Sequence, residues 1–317
     1  MDNPTPTTVR LDPAKFRDPA VTARGEARAT VALRALDTLW FNTGTLCNIA
    51  CEGCYIGSSP RNDRLTFLRR DEARAYLDEI AADGLPTQLI GFTGGEPFMN
   101  PDIIGMLHDA LARDLDTLVL TNAMQPMRRH RTALLDVRRR FGDRLRIRVS
   151  LDHYTAAVHE AERGAGTWRH AIDGLTWLAR NGFVLDVAGR RFTLESEDAL
   201  RAGFGALFAA HQIAIDATDP VRLMLFPEMD PQRDVPEITT ACWDILHKSP
   251  DDVMCASARM VVKRRDAARP SVLACTLLPY DPRFELGRTL REAAGSVALN
   301  HPYCASFCVL GGAACSR

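Results

Sequence analysis

The nine cysteines are the residues of this sequence whose type and spacing point most directly to chemistry. Three of them, Cys47, Cys51 and Cys54, lie within eight positions, and Cys242 stands alone. The other five fall in the last fifth of the chain, at Cys255, Cys275, Cys304, Cys308 and Cys315. An odd number of cysteines in a chain of 317 residues is not typical of a disulfide framework. The two groups therefore predict metal or redox chemistry.

The first group forms a C-x3-C-x2-C loop that follows a strand-like run ending in WFN. Loops at the carboxyl ends of strands carry the active sites of α/β barrels. Three closely spaced thiolates can hold three corners of a cubane iron–sulfur cluster and leave the fourth iron without a protein ligand. A zinc site and buried free thiols are the alternatives, although structural zinc needs four ligands and no fourth Cys or His lies nearby.

Apolar runs bounded by turn residues alternate with stretches of helical spacing between residues 35 and 249, which predicts an α/β fold. The predicted strands are 38–42, 88–92, 117–120, 146–151, 184–188 and 222–226. The predicted helices are 70–82, 101–113, 127–141, 166–181, 197–211 and 237–248. Six such units are too few for a closed barrel of eight. We expect a partial (β/α)6 TIM-type barrel, with a doubly wound sheet as the alternative.

The segments outside this core have a different character. Residues 1–34 are rich in Pro, Thr, Arg and Ala and are predicted to form an extended arm that leads into a short helix. Residues 250–317 form a small Cys-rich extension, with a hairpin predicted over 253–264 and 271–278. Such small segments are usually held by a metal or by packing on a larger neighbour.

Composition limits the classes of function. Hydrophobic residues make up 46% and charged residues 25%, as in globular proteins. The formal charge of −1 provides no overall field that would attract nucleic acid or anionic lipid, so a nucleic-acid role is not expected. No apolar run is long enough for a membrane span, and no signal-peptide pattern opens the chain. We therefore expect a cytoplasmic protein with no membrane partner.

A second motif follows the next predicted strand. Thr93-Gly94-Gly95-Glu96-Pro97, taken with the cysteine loop, resembles the paired motifs of the radical S-adenosylmethionine (radical SAM) superfamily. The resemblance covers roughly residues 36–230 and implies a [4Fe-4S] cluster held by Cys47, Cys51 and Cys54. It also implies that the methionyl group of SAM chelates the open iron. Gly94 and Gly95 would let the backbone approach SAM, and Glu96 would accept a hydrogen bond from its ammonium group.

The resemblance extends to later strand ends, where it implies four further SAM contacts, at Asn122, Ser150, Asp152 and Arg163. Arg163 is the candidate partner of the SAM carboxylate, and a surface ion pair with Glu160 or Glu162 is the alternative. Members commonly carry an aromatic residue just before the third cysteine. This chain has Gly53 there, so Tyr55 is the candidate for packing on adenine.

The C-terminal cysteines resemble the SPASM/Twitch extensions of the same superfamily. Cys255 and Cys275 fit C-x14-P-x4-C, with Pro270 where those extensions usually have glycine. The resemblance implies one auxiliary iron–sulfur cluster whose four ligands come from Cys255, Cys275, Cys304, Cys308 and Cys315. A zinc site that only folds the tail is the alternative. Cys242 is interpreted as a buried apolar thiol and His301 as a turn residue.

The resemblance implies reductive cleavage of SAM to a 5′-deoxyadenosyl radical that abstracts a hydrogen atom. The substrate would be a small molecule or peptide, oxidatively modified, and flavodoxin or ferredoxin would supply the electron. The sequence does not identify a catalytic residue. A non-catalytic iron–sulfur or zinc protein, for electron transfer or scaffolding, is one alternative. Another is an RNA-modifying radical SAM enzyme that uses the arginines of residues 128–140.

Overall fold

The structure is a computed structural model that describes residues 10–312. Its main feature is a nine-stranded sheet with the order β10-β9-β8-β2-β3-β4-β5-β6-β7, and β1 pairs with β11 in a small second sheet. The strands are β1 Thr30–Val31, β2 Thr38–Asn42, β3 Leu89–Thr93, β4 Asp116–Thr121, β5 Leu145–Ser150, β6 Val184–Arg191, β7 Leu223–Pro227, β8 Ala258–Val262, β9 Ser271–Leu273, β10 Glu285–Gly287 and β11 Val297–Ala298. The helices are α1 Arg70–Ala82, α2 Ile103–Leu111, α3 Gln125–Arg128, α4 Arg131–Phe141, α5 Ala156–Arg163, α6 Thr167–Arg180, α7 Glu197–Ala210 and α8 Cys242–Leu246.

Strands β2 to β7 are all parallel and lie side by side in chain order. A doubly wound sheet reverses its strand order at a switch point, and no reversal occurs among these six strands, so that alternative is wrong. Strands β7 and β10 remain the two edges of the sheet over residues 10–312, which leaves the barrel open. The predicted partial (β/α)6 architecture is confirmed.

Alternate side chains of the strands enter two different cores. In β2, Leu39 and Phe41 join the hydrophobic cluster that packs on the helices, while Trp40 joins the cluster of the opposite face. Successive strand residues point to opposite faces of a sheet. The opposite face is covered by the C-terminal segment, where the ring of Phe307 stacks on Phe226 of β7 at 5.4 Å between centroids. The C-terminal segment thus packs against the inner face of the open barrel.

The predicted elements mostly match the observed ones within a few residues, although the helix predicted over 127–141 is divided into α3 and α4. The helix predicted over 237–248 is reduced to α8, because the N-terminal arm binds the backbone that precedes it. Ile238 accepts a hydrogen bond from the Ala29 amide at 2.9 Å, and the Thr240 amide donates to Ala27 at 3.1 Å. Helix α5 was not predicted.

The N-terminal arm contains no helix over its described residues 10–34, so the predicted short helix is wrong. The arm is instead tied to the segment after β7. The Arg28 guanidinium, with its side chain fully buried, pairs with Glu237 at 2.5 Å, and Lys15 pairs with Asp234 at 2.6 Å. These contacts explain why the arm lacks a helix, since its backbone and charged groups are used against residues 230–240.

The C-terminal extension continues the main sheet. Strand β8 pairs in parallel with β2, and β9 and β10 add antiparallel strands. The predicted hairpin is confirmed with shorter strands, β8 and β9. The main sheet contains strands from both sides of residue 250. The division of the chain into domains 1–34, 35–249 and 250–317 stays a proposal. Among the described residues, no helix has both the length and the apolar content needed to cross a bilayer.

Candidate functional site

The cysteine loop lies over the carboxyl ends of β2 and β3, where the thiols of Cys47, Cys51 and Cys54 line one cavity. The cavity holds about 1330 Å³ of empty space when its open mouth is included. The loop is held by backbone hydrogen bonds, among them Cys47 to Ser59 at 3.1 Å. The sequence prediction that these three thiols converge is therefore consistent with their positions.

Burial favours the protonated form of two of the thiols, those of Cys47 and Cys51. It raises the pKa of Cys47 to about 12, against a smaller lowering by a backbone hydrogen bond. Burial also raises the pKa of Cys51, partly offset by Arg163. A metal ligand must be a thiolate, and metal binding supplies the positive charge that removes the proton.

Gly94 and Gly95 follow β3 and lie directly beneath the cysteine loop. A side chain on Gly94 would come closer than 3.0 Å to the Gly44 carbonyl, and one on Gly95 would do the same to Leu46. Gly94 also has a positive φ of 137°. The Gly95 amide donates to Gly44 at 2.8 Å, and both glycines line the cavity. Their small size is needed for contact with the loop as well as for any approach of a ligand.

Glu96 is 2% exposed, and both of its carboxylate oxygens are used inside the protein. They accept hydrogen bonds from the Thr121 hydroxyl at 2.8 Å, the Asn122 amide at 2.8 Å and the Phe98 amide at 3.2 Å. Burial raises the pKa of Glu96 to about 7 despite these donors. Glu96 thus connects the end of β3 to the end of β4, and its contact with a SAM ammonium stays a prediction.

Asn122 directly follows β4 and lines the same cavity. Its side-chain amide donates to Asn48 at 2.9 Å and lies 3.9 Å from the Cys47 sulfur. Asn122 therefore supports the cysteine loop from the neighbouring strand.

Ser150, Asp152 and Arg163 also line the cavity. Arg163, the last residue of α5, holds Asp152 through two hydrogen bonds of 2.8 Å, one to each carboxylate oxygen. Asp152 is 2% exposed. Burial alone would raise the pKa of Asp152, but the Arg163 guanidinium outweighs that effect and holds the pKa below its ordinary value.

The alternative for Arg163, a surface ion pair with Glu160 or Glu162, is wrong. Glu162 pairs with Arg190 at 2.5 Å, and Glu160 accepts a hydrogen bond from the Trp168 amide. Arg163 turns inward because the buried carboxylate of Asp152 gives it a bidentate partner in a poorly solvated place.

Arg190 is a cavity residue that the sequence analysis missed. It lies near the end of β6 and pairs with Glu162 at 2.5 Å and Glu228 at 2.9 Å. A basic residue at the carboxyl end of a strand was the available signal. Tyr55 lines the cavity as expected and is 41% exposed.

Comparison with known proteins connects this geometry to a family. The family model described as the radical SAM superfamily matches residues 41–198, which include the cysteine loop, Gly94, Gly95 and the Asp152–Arg163 pair. The chain belongs to the radical SAM superfamily.

Curated relatives match about half of the chain or somewhat less. The mycofactocin maturase MftC of Mycobacterium ulcerans is 29% identical over 140 residues, 44% of this chain and 35% of the relative. The subtilosin biosynthesis protein AlbA of Bacillus subtilis is 28% identical over 143 residues, 45% and 30%. The AdoMet-dependent heme synthase of Methanosarcina barkeri is 27% identical over 142 residues, 44% and 38%. The matched region spans about a third of each relative's length.

Solved structures resemble a larger share of the chain. Streptococcus suis SuiB bound to S-adenosylmethionine has a TM-score of 0.58 and 11% identity, covering 80% of this chain and 63% of that one. The structure of anSMEcpe with bound AdoMet has a TM-score of 0.57 and 12% identity, covering 81% and 79%. At this identity the likeness shows the radical SAM fold.

The residues of the cavity fit the cofactors of a radical SAM protein. Over residues 10–312, no three His, Cys, Asp or Glu side chains are arranged to hold a single metal ion. A cubane cluster instead takes its thiolates at separate corners, and three cysteines that line the same cavity suit that arrangement. Cys47, Cys51 and Cys54 stay the predicted ligands.

The cysteines of the C-terminal extension lie in different surroundings. Cys255 and Cys304 are buried in the hydrophobic cluster inside the open barrel, and Cys275 and Cys308 pack against it. Burial raises the pKa of Cys255 to about 11 and that of Cys304 to about 12. Cys315 lies outside the described residues. The auxiliary ligand set therefore stays a prediction.

The remaining C-terminal predictions concern Cys242 and His301. Cys242 is half-buried at the start of α8, where its sulfur lies 3.4 Å from the Thr239 amide. The Nδ1 of His301 accepts a hydrogen bond from the Tyr303 amide at 3.1 Å, consistent with a turn residue.

The arginines of residues 128–140 lie away from the cavity lining and contact neighbouring groups of the protein. Arg128 pairs with Asp173 at 3.0 Å, Arg138 donates to the Gly182 carbonyl at 2.8 Å, and Arg139 pairs with Asp136 at 2.7 Å. These contacts favour a structural role over an RNA surface.

Proposed function

We propose that the chain is a radical SAM enzyme that abstracts a hydrogen atom from a peptide or a small molecule. The observation that carries this proposal is the shared cavity. Three thiols, the two glycines after β3 and the buried Asp152–Arg163 pair all line it. When bound, the cluster would supply the electron that cleaves SAM to methionine and a 5′-deoxyadenosyl radical.

The protein's own contribution would be positioning and the exclusion of water. Arg163 is held in place by Asp152 and offers a fixed positive group beside the cysteine loop. Ser150 and Asn122 add hydrogen-bonding groups on neighbouring strand ends. Such groups suit the carboxylate, ammonium and ribose of SAM, because each presents complementary donors or acceptors.

A peptide is the substrate class that we favour. Relatives named as a mycofactocin maturase and a subtilosin biosynthesis protein support it, as does the fold of SuiB, which was solved bound to the precursor peptide SuiA. A small molecule is the second candidate, supported by relatives named as heme synthases.

We also propose one auxiliary iron–sulfur cluster in the extension. Residues beside its cysteines reach the SAM cavity: Thr276 and Leu277 follow Cys275, and Phe307 precedes Cys308. A cluster held by Cys255, Cys275, Cys304 and Cys308, or with Cys315 in place of one, would lie next to the bound substrate. In that position the auxiliary cluster would be able to accept an electron from the substrate or to bind the substrate directly. Flavodoxin or ferredoxin would reduce the first cluster, in a reducing compartment such as the cytoplasm.

The test is to measure iron, sulfide and 5′-deoxyadenosine on anaerobically reconstituted protein with SAM and dithionite. We expect about eight irons per chain and 5′-deoxyadenosine formation, from two clusters of four irons each. About four irons with activity would remove the auxiliary cluster and keep the enzyme. Full iron content without 5′-deoxyadenosine would favour a non-catalytic iron–sulfur protein.

A further inference from the structure

Gly53 stands between the second and third cysteines, and its backbone does not explain why it is a glycine. Its φ lies outside the left-handed region that favours glycine. The explanation is the neighbouring Arg190. A methyl group on Gly53 would lie 2.6 Å from the Arg190 Cζ and closer still to both terminal nitrogens. The guanidinium thus fills the space that a side chain at position 53 would occupy.

The Arg190 guanidinium is not free to move aside. Glu162 of α5 binds it at 2.5 Å and Glu228, just after β7, binds it at 2.9 Å. It also lies over the ring of Phe192, 4.9 Å from the centroid. Its side chain is only 13% exposed. A planar guanidinium held by two carboxylates loses much of the freedom that would let it yield to a new methyl group.

Two backbone hydrogen bonds near Arg190 connect the cysteine loop with α5 and the end of β6 with the segment after β5. The Glu52 amide donates to the Glu162 carbonyl at 2.8 Å, and the Arg190 amide donates to the Asp152 carbonyl at 3.1 Å. The turn from Cys51 to Cys54 therefore rests on α5 and on the end of β6. Arg190 sits between these supports and lines the cavity.

We propose that Arg190 is a positioning residue that clasps the Cys51–Cys54 turn through the space left open at Gly53. The clasp fixes the third thiol and one wall of the SAM cavity. Its ligand-binding consequences rest on the proposed function, whereas the Gly53–Arg190 contact itself does not. Gly53 and Arg190 should consequently behave as one coupled unit.

A double-mutant cycle tests the contact in the full chain as purified. Gly53→Ala and Arg190→Ala are each expected to lower the Tm by about 3 °C or more. In the Arg190→Ala background, Gly53→Ala should have no further effect, because the blocking guanidinium is gone. Arg191→Ala is the matched control, since Arg191 pairs with the half-exposed Glu197 outside the cavity lining. Additive losses, or a harmless Gly53→Ala, would overturn the clasp.

A second measurement separates positioning from a purely structural role. On protein reconstituted to full iron content, Arg190→Ala should weaken SAM binding about tenfold, or about 1.4 kcal/mol, because the turn that lines the SAM cavity loses its support. It should also change the electron paramagnetic resonance spectrum of the reduced cluster with SAM, and Arg191→Ala should change neither. An unchanged affinity and spectrum would refute the positioning role. If the unmodified chain takes up no iron or SAM, the proposed function fails, and the melting cycle alone decides the clasp.

Discussion

The two cysteine regions of this molecule differ in what surrounds their sulfur atoms. Cys47, Cys51 and Cys54 come from one short loop and face a cavity that also contains the charged Asp152, Arg163 and Arg190. The described C-terminal cysteines come from three separate segments and pack in or against an apolar cluster: Cys255, Cys275, Cys304 and Cys308. The first region is built around a space for a ligand, and the second fills the inside of the barrel.

This difference shows how chain connectivity determines a site. Three thiols within eight residues must lie near one another, so the first region needs only a loop of the right shape. The described C-terminal thiols lie next to β8 and β9 and in the π-helix Cys304–Val309, so their positions depend on the packing of the whole extension. A π-helix is rare, and short π-helical segments are frequently found at functional sites.

The largest expected effect is that of Cys51→Ala. Loss of one of three ligands should remove about four irons per chain and abolish 5′-deoxyadenosine formation. Cys242→Ala is the matched control, since this thiol lies outside the SAM cavity lining and contacts Thr239. Iron analysis and chromatography of the products give the result. Retained iron and activity in Cys51→Ala would show that the first region is not the cluster site.

Cys308→Ala tests whether the second region holds a cluster at all. We expect loss of about four irons while SAM is still cleaved without substrate turnover, because the first region stays intact. If iron content matches that of Cys242→Ala, the C-terminal thiols serve packing alone.

Asp152→Asn tests the buried charges that distinguish the first region. Removing the carboxylate leaves the Arg163 guanidinium buried without its partner, which should lower the free energy of unfolding by about 3–5 kcal/mol. Asp114→Asn, at an ion pair whose aspartate is 95% exposed, should cost less than about 1 kcal/mol. Urea denaturation measures both, and equal losses would mean that the Asp152–Arg163 pair is not effectively buried.

The smallest expected effect is the contribution of Glu96 to the pH dependence of the free energy of unfolding. Burial raises its pKa from 4.5 to about 7, so the folded chain binds more protons than the unfolded chain in this range. The free energy of unfolding should therefore fall as pH rises from about 4.5 to about 7, by on the order of 3 kcal/mol.

Glu96→Gln should remove this slope, whatever its effect on stability at a single pH. Buried His159, whose pKa is lowered to about 4, has the opposite slope and loses stability as pH falls below about 6.5. The difference between the variant and the unmodified chain isolates Glu96. Parallel pH profiles for the two proteins would show that Glu96 titrates normally.

Local patterns were sufficient for much of the fold. The predicted β2 and α1 have the observed bounds, since an apolar run and a helical period report directly on burial. The helix predicted over 237–248 failed because Ala29 and Ala27, some 210 residues earlier, bind its backbone. No local pattern carries that information.

The sequence by itself determined the family, the six parallel strands and the thiols of the first region, because each depends on residues close together in the chain. Tertiary structure alone decided which groups those thiols face. It paired Arg163 with Asp152 instead of Glu160 or Glu162, bound the Glu96 carboxylate to Asn122 after the next strand and placed Arg190 against Gly53. The physical reason is that ion pairs and burial depend on distance in space, which strand order and packing set, and not on separation along the chain.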